Sequence, residues 1–263
     1  MPTTRSTAKA VIAMACPADL REQFCSKARR MFFSKESVDR FAQSATPGQM
    51  RALCDLLDFE MGVRAENKRR RLMRRACFPV PKSLDDFDFT ELAMPEGYGR
   101  EELLKLGFVE SAQDFVFYGK TGRGKTHLAI ALGIACVNAG YEALFFSTAS
   151  LVRRLVVAMN DGTLESLLKE IRRADVVILD EFGYIPLDVD GARLLFQVIS
   201  ESYEARSLIL TTNIEFSRWG TIFADEKLAA AAVDRIVHHG RLIEFNGPSR
   251  RMDAALMLGK GGD

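Results

Sequence analysis

The strongest constraint on this 263-residue chain is the octapeptide Gly119-Lys120-Thr121-Gly122-Arg123-Gly124-Lys125-Thr126, which fits the spacing G-x-x-x-x-G-K-[ST]. It stands between a short apolar run, Phe115 to Tyr118, and a segment with helical periodicity from about Gly124 to Asn138. That context is what the motif needs. Glycines at 119, 122 and 124 let the loop turn its N–H groups inward, and the helix N-terminus that follows favours negative charge. The pattern therefore predicts a phosphate-binding loop, with Gly119, Lys120, Thr121, Gly122, Arg123, Gly124, Lys125, Thr126 and His127 around the phosphates. Lys125 is placed at the β- and γ-phosphates of a nucleoside triphosphate, ATP. The Thr126 hydroxyl is placed as a ligand of Mg²⁺.

The rest of the C-terminal two thirds alternates short apolar strands with longer helical segments, the sequence form of a parallel α/β sheet. Strands are expected at Ala143 to Ser147, Val176 to Leu179, Ser207 to Thr211 and Leu242 to Phe245. The run Val176-Val177-Ile178-Leu179 ends in Asp180-Glu181. A buried strand that delivers two adjacent acids suits metal-assisted hydrolysis: Asp180 to hold Mg²⁺, Glu181 to orient or deprotonate the attacking water. Leu208-Ile209-Leu210-Thr211-Thr212 ends at Asn213, whose amide could address the γ-phosphate or that water. Arg235, on an expected helix beyond, could reach the nucleotide of a neighbouring subunit.

Charge is uneven. Residues 1–80 hold 16 Lys and Arg against 8 Asp and Glu, a net of +8, while residues 81–263 hold 20 against 27, a net of −7. Much of the excess lies in Arg64, Lys68, Arg69, Arg70, Arg71, Arg74 and Arg75, opposed only by Glu66. On a helix these cations cover most of the circumference, which suits phosphate contact with double-stranded DNA and carries no base readout. No aromatics are interleaved, so stacking on single strands is not expected. Pro79 and Pro81 close the stretch. Ahead of it, helices are expected at Ala18 to Arg30 and Gln49 to Gly62, with Ser44 to Gly48 as a turn. The domain plan is thus 1–63, a small helical domain; 64–81, a basic helix and linker; and 82–263, the α/β body. Arg153, Arg154, Arg172 and Arg173 are further basic pairs in that body.

Other classes of site find little support. The five cysteines, at 16, 25, 54, 77 and 136, are odd in number and never in C-x-x-C spacing, so neither zinc nor a disulfide framework is expected. His127 follows the loop, while adjacent His238 and His239 would project in different directions from a regular element, so these three are not expected to hold a metal. No apolar run approaches the ~20 residues of a bilayer span, and residues 1–20 lack a long secretory hydrophobic core. The expectation is a cytoplasmic protein without membrane contact.

At this point the chain resembles a known family, the IstB-type transposition helper ATPases, relatives of the DnaC helicase loaders in the AAA+ superfamily. The resemblance runs from about Arg64 to Arg251. It is carried by Pro79 to Asp88, Gly124 to Ala129, Leu179-Asp180-Glu181-Phe182-Gly183-Tyr184, Tyr203-Glu204, Thr211-Thr212-Asn213, Phe216 to Gly220 and Asp234 to His239. It implies an AAA+ ATPase that oligomerises on double-stranded DNA and helps a cognate transposase engage its target. Lys125, Thr126, Asp180, Glu181, Asn213 and Arg235 would occupy the Walker A, Walker B, sensor-1 and arginine-finger positions. Where family members commonly end with Gly-x-Ser-Tyr-Arg, this chain has Gly247-Pro248-Ser249-Arg250-Arg251, which alters the sensor-2 position at Arg251. The same ATPase motifs serve helicase loaders, the alternative reading. A small-molecule kinase shares the loop, but Asp180, Glu181 and Asn213 fit water activation better.

Overall fold

The structure, a computed structural model, describes residues 18–223 and 225–249. Cys16, Arg250 and Arg251 lie outside them. The chain divides into two compact units, Met1–Lys68 and Arg69–Asp263.

In the first unit, α1 (Ala18–Arg30), α2 (Lys35–Ser44) and the first part of α3 (Pro47–Ala76) enclose a small core of Phe24, Ala28, Val38, Ala42, Met50, Cys54 and Leu57. Phe24 meets Phe41 with ring centroids 5.2 Å apart. Two features depart from the sequence expectation. The first is α2, which starts at a Ser34 cap whose Oγ accepts from Ser37 N at 3.3 Å. Its buried Val38 and Ala42 are spaced i, i+4. The second is the turn, which ends earlier than Gly48. Thr46 and Gln49 form a reciprocal cap, with Thr46 N donating to Gln49 Oε1 at 2.9 Å and Gln49 N to Thr46 Oγ1 at 3.3 Å. Pro47 takes the first helical position, where it has no hydrogen bond to lose, and Gly48 is helical. The expected 49–62 helix and the basic stretch are one continuous helix.

The second unit is built on a six-stranded sheet in the order β1-β6-β2-β5-β4-β3. Its elements are β1 (Leu92–Ala93), α4 (Arg100–Leu104), α5 (Gly107–Glu110), β2 (Asp114–Tyr118), α6 (Lys125–Asn138), β3 (Ala143–Ser147), α7 (Thr148–Asn160), α8 (Leu164–Arg172), β4 (Val176–Asp180), α9 (Val189–Ser202), β5 (Ser207–Thr212), a 3-10 turn (Phe216–Arg218), α10 (Gly220–Phe223), α11 (Glu226–His238) and β6 (Gly240–Phe245). Five strands run parallel, and β1 pairs antiparallel with β6. Both faces are covered, which is why the strands read as unbroken apolar runs. Phe115, Phe117, Val176, Ile178 and Ile209 face α6, α5 and the last turns of α3, represented by Leu72 and Ala76. Val116, Val177, Leu179, Leu208 and Leu210 face α7, α8, α9 and α11. Each fully buried Phe or Ile contributes about 2–3 kcal/mol of apolar transfer energy. Among the described residues, no helix is long and apolar enough to cross a membrane.

This strand order places the site. β2, which leads into the glycine-rich loop, and β4, which delivers the acid pair, are not neighbours; β5 lies between them. All three end at the same edge, where parallel α/β sheets bind their ligands.

Candidate nucleotide-binding site

The loop after β2 adopts the conformation that its glycines allow. Gly119, Gly122 and Gly124 have φ of +150°, +84° and +95°. At Gly119 a Cβ would stand 2.6 Å from the Phe245 carbonyl oxygen, so no other residue fits there. Gly124 is the N-cap of α6, and the loop closes directly onto that helix N-terminus. Lys125 is buried, its Nζ donating to the carbonyls of Gly119 at 2.6 Å and Lys120 at 2.9 Å. The ammonium is thereby folded over the loop it would serve. Arg123, also at the cleft, donates from Nη1 to Phe245 O at 2.8 Å.

Asp180, at the end of β4, is buried, and its Oδ1 accepts from Thr126 Oγ1 at 2.8 Å and from Thr211 Oγ1 at 2.5 Å. The intervening strand β5 thus ties the acid to the loop. Thr148 Oγ1 also donates to the Asp180 carbonyl, at 2.9 Å. Glu181 follows with φ +56°, a strained conformation for a non-glycine residue that costs about 1–3 kcal/mol. Its surroundings hold it there. Glu181 N donates to Thr211 Oγ1 at 3.0 Å, Phe182 N to Thr211 O at 2.8 Å, and Thr212 Oγ1 to Phe182 O at 2.8 Å. The fully buried Phe182 ring packs 4.5 Å from Trp219. Glu181 itself is exposed and faces the cleft.

The cleft has a volume of about 350 Å³ and is lined by the loop from Thr121 to His127, by Lys82, Ile130, Glu181, Tyr184 and Thr211. Lys82, Tyr184 and Thr211 carry no sequence signal for this role, because tertiary packing alone brings them in. The segment after Pro81 lies along the loop: Ser83 O is 3.1 Å from His127 Nε2, and the Phe87 ring is 5.5 Å from the His127 ring. Tyr184 OH is 3.4 Å from Thr121 Oγ1. The oxygen pair of Thr126 and Asp180, side by side at the loop, fits a hard divalent cation such as Mg²⁺.

Two expected residues lie elsewhere. Asn213 is exposed just past β5 and does not line the cleft. Arg235 lies on α11, its Nη1 donating to Ala231 O at 3.0 Å and its guanidinium 4.9 Å over the Phe196 ring. A larger groove of about 1110 Å³ runs along the same helix past Phe216, Thr221, Asp225, Ala229, Val233 and Val237, and shares no residue with the cleft. In the basic stretch, Arg64 pairs with Glu60 at 2.8 Å and Arg75 with Glu142 at 2.7 Å, while Arg69 Nη1 is 3.5 Å from Asn138 Oδ1. Lys68, Arg69, Arg70, Arg71 and Arg74 are exposed. In the body, Arg172 is engaged by Glu165 and Glu201, and Arg154 stands 3.8 Å from Glu170. His238 and His239 do not diverge as expected. Their rings stand side by side, 4.7 Å between centroids.

A parallel sheet in this order, a glycine-rich loop closing on a helix, and an acid pair at the facing strand end define a P-loop nucleotide-binding protein with the AAA+ fold. The replication initiator DnaA bound to AMPPCP and single-stranded DNA has that fold, with a TM-score of 0.50 at 19% identity over 68% of this chain and 54% of its own. The protein DnaI has it too, with a TM-score of 0.50 at 21% identity over 65% of this chain and 90% of its own. The family model of the IstB-like ATP binding protein matches residues 28–256, and the chain belongs to that family. An ATP-binding protein of insertion sequence IS232 from Bacillus thuringiensis subsp. berliner is 38% identical over 200 residues, 76% of this chain and 80% of its own. Another, of insertion sequence IS21 from Pseudomonas aeruginosa, is 38% identical over 203 residues, 76% of each chain.

Proposed function

We propose that this IstB-like protein hydrolyses ATP, oligomerises on double-stranded DNA, and helps a cognate transposase select and engage its target. The carrying observation is the Asp180 carboxylate, held by Thr126 from the loop and Thr211 from β5, with Glu181 beside it in the cleft of Lys125. Thr126 and Asp180 would hold Mg²⁺, which would supply positive charge to offset the charge developing in phosphoryl transfer. Lys125 would leave its two carbonyls for the β- and γ-phosphates, and the loop N–H groups would bind the same oxygens. Glu181 would accept the proton of the attacking water; its backbone is clamped by β5, so the carboxylate is presented from a rigid element. Asn213, exposed past the end of β5 and outside the cleft lining, would need a shift of that turn to reach the γ-phosphate.

Arg235 supports assembly. It lies outside its own cleft, on the helix that also lines a separate groove, and a guanidinium placed there would serve a neighbour's site rather than its own. The exposed cations of α3 would take the DNA backbone. Relatives named for insertion sequences, matched over about three quarters of this chain, favour transposition over helicase loading.

ATP turnover measured with and without duplex DNA tests this reading. The expected result is turnover stimulated by DNA, loss of ATP binding in Lys125→Ala, and retained binding with turnover at least about 100-fold slower in Glu181→Gln. Full turnover by an isolated monomer without DNA would sink it.

A further inference from the structure

Away from the cleft, the turn after α9 meets the end of α11. Tyr203 OH is 2.8 Å from His238 Nδ1, and Glu204 Oε1 is 2.8 Å from His239 Nε2. On one helix, consecutive side chains point about 100° apart. Here His239 has left the helix (φ −111°, ψ 7°), which swings its ring back beside His238. Glu204 reaches them from a left-handed backbone, φ +54°. One ligand atom from each of Glu204, His238 and His239 lies within 4.8 Å of the others. The nucleotide chemistry uses none of these three.

We propose that Glu204, His238 and His239 form a binding site for a borderline transition-metal cation of the zinc class. Two imidazoles and one carboxylate are a donor set that such cations prefer, whereas Mg²⁺ takes oxygen ligands. Around tetrahedral zinc, with bonds of about 2.0–2.2 Å, ligand atoms stand about 3.4 Å apart. The Glu204–His239 pair, now 2.8 Å apart, opens by about half an ångström to admit the ion, and His238 closes by side-chain rotation. Glu204 and His238 are exposed and His239 is half-buried, so an ion can enter from solvent and water can complete its coordination. The surrounding charges are mixed: Asp234 and Arg235 both act on Tyr203, and Asp114 faces His239. A bound ion would pin the last turn of α11, three residues from Arg235.

Titrating the full-length, nucleotide-free protein with Co²⁺ tests the site through the visible absorption of the metal, with Zn²⁺ added afterwards as competitor. The expected result is one equivalent of Co²⁺ bound and displaced by Zn²⁺. His239→Asn should weaken binding at least about tenfold, and so should Glu204→Gln, which keeps the hydrogen bond to His239 but removes the anionic ligand. Cys25→Ser and Cys77→Ser should leave the titration unchanged. Thermal unfolding of each variant separates a lost site from a lost fold. Absence of saturable absorption in the wild type, a titration indifferent to Glu204→Gln, or a thiolate charge-transfer band in place of the imidazole spectrum would each overturn the proposal.

Discussion

Asp114 shows how far a single residue is governed by its neighbours. It is 3% exposed at the start of β2, and its Oδ1 accepts from Leu208 N at 2.7 Å, joining β2 to β5 beneath the cleft. Burial pushes its carboxyl up to about 7, against an opposing pull from that hydrogen bond and from His239. The folded chain therefore holds a proton that the unfolded chain releases between about pH 4 and 7, and stability falls as pH rises through that window. Asp114→Asn keeps the acceptor and removes the charge. It should flatten the decline between pH 4 and 7 and stabilise the protein at pH 8, as read by denaturant unfolding across that range; an unchanged slope would place the pH dependence elsewhere. The same dependence on neighbours limits what the sequence discloses at the cleft. Lys125, Thr126, Asp180 and Glu181 are legible because their spacing from strand ends is local. Thr211, Lys82 and Tyr184 are not, since only the order of strands and the path after Pro81 bring them to the loop. His238 and His239 depart from the expected divergence because a helix end, invisible in the sequence, turns the second ring back.

Among elements, the parallel strands are legible to within two residues at each end, the largest difference being β6, which starts at Gly240 rather than Leu242, because buried strands leave an apolar run bounded by polar residues. α2 has only ten residues and shows no comparable run, and β1 is a two-residue pairing that depends wholly on β6. α3 carries the largest consequence for function. Its Leu72 and Ala76, one turn apart, are buried in the core of the second unit, leaving Arg71 and Arg74 exposed on the remaining surface. Arg75, paired with Glu142, is already engaged. Replacing Lys68, Arg71 and Arg74 together with Ala should weaken duplex binding regardless of sequence and reduce the slope of log K against log salt by about 2–3, near 0.9 for each phosphate no longer neutralised. Binding measured over a range of salt decides this; an unchanged slope would remove α3 from the DNA interface.

For the whole molecule, the proposed function makes assembly part of the chemistry. The cleft gathers Lys125, Thr126, Glu181 and Thr211 with the buried Asp180, whereas Arg235 rests on Phe196 beside a separate groove on α11. On the proposed function each chain supplies most of its own site and one cation to the next, so ATP binding and oligomerisation are coupled steps. Mixing two defective chains tests that directly. Lys125→Ala lacks a working site but keeps Arg235; Arg235→Ala keeps its site but offers nothing to a neighbour. With ATP and duplex DNA, each alone should be nearly inactive, and the mixture should turn over ATP at least about tenfold faster than either, because one chain's Arg235 completes the other's cleft. A mixture no faster than the sum of its two components would contradict the shared site.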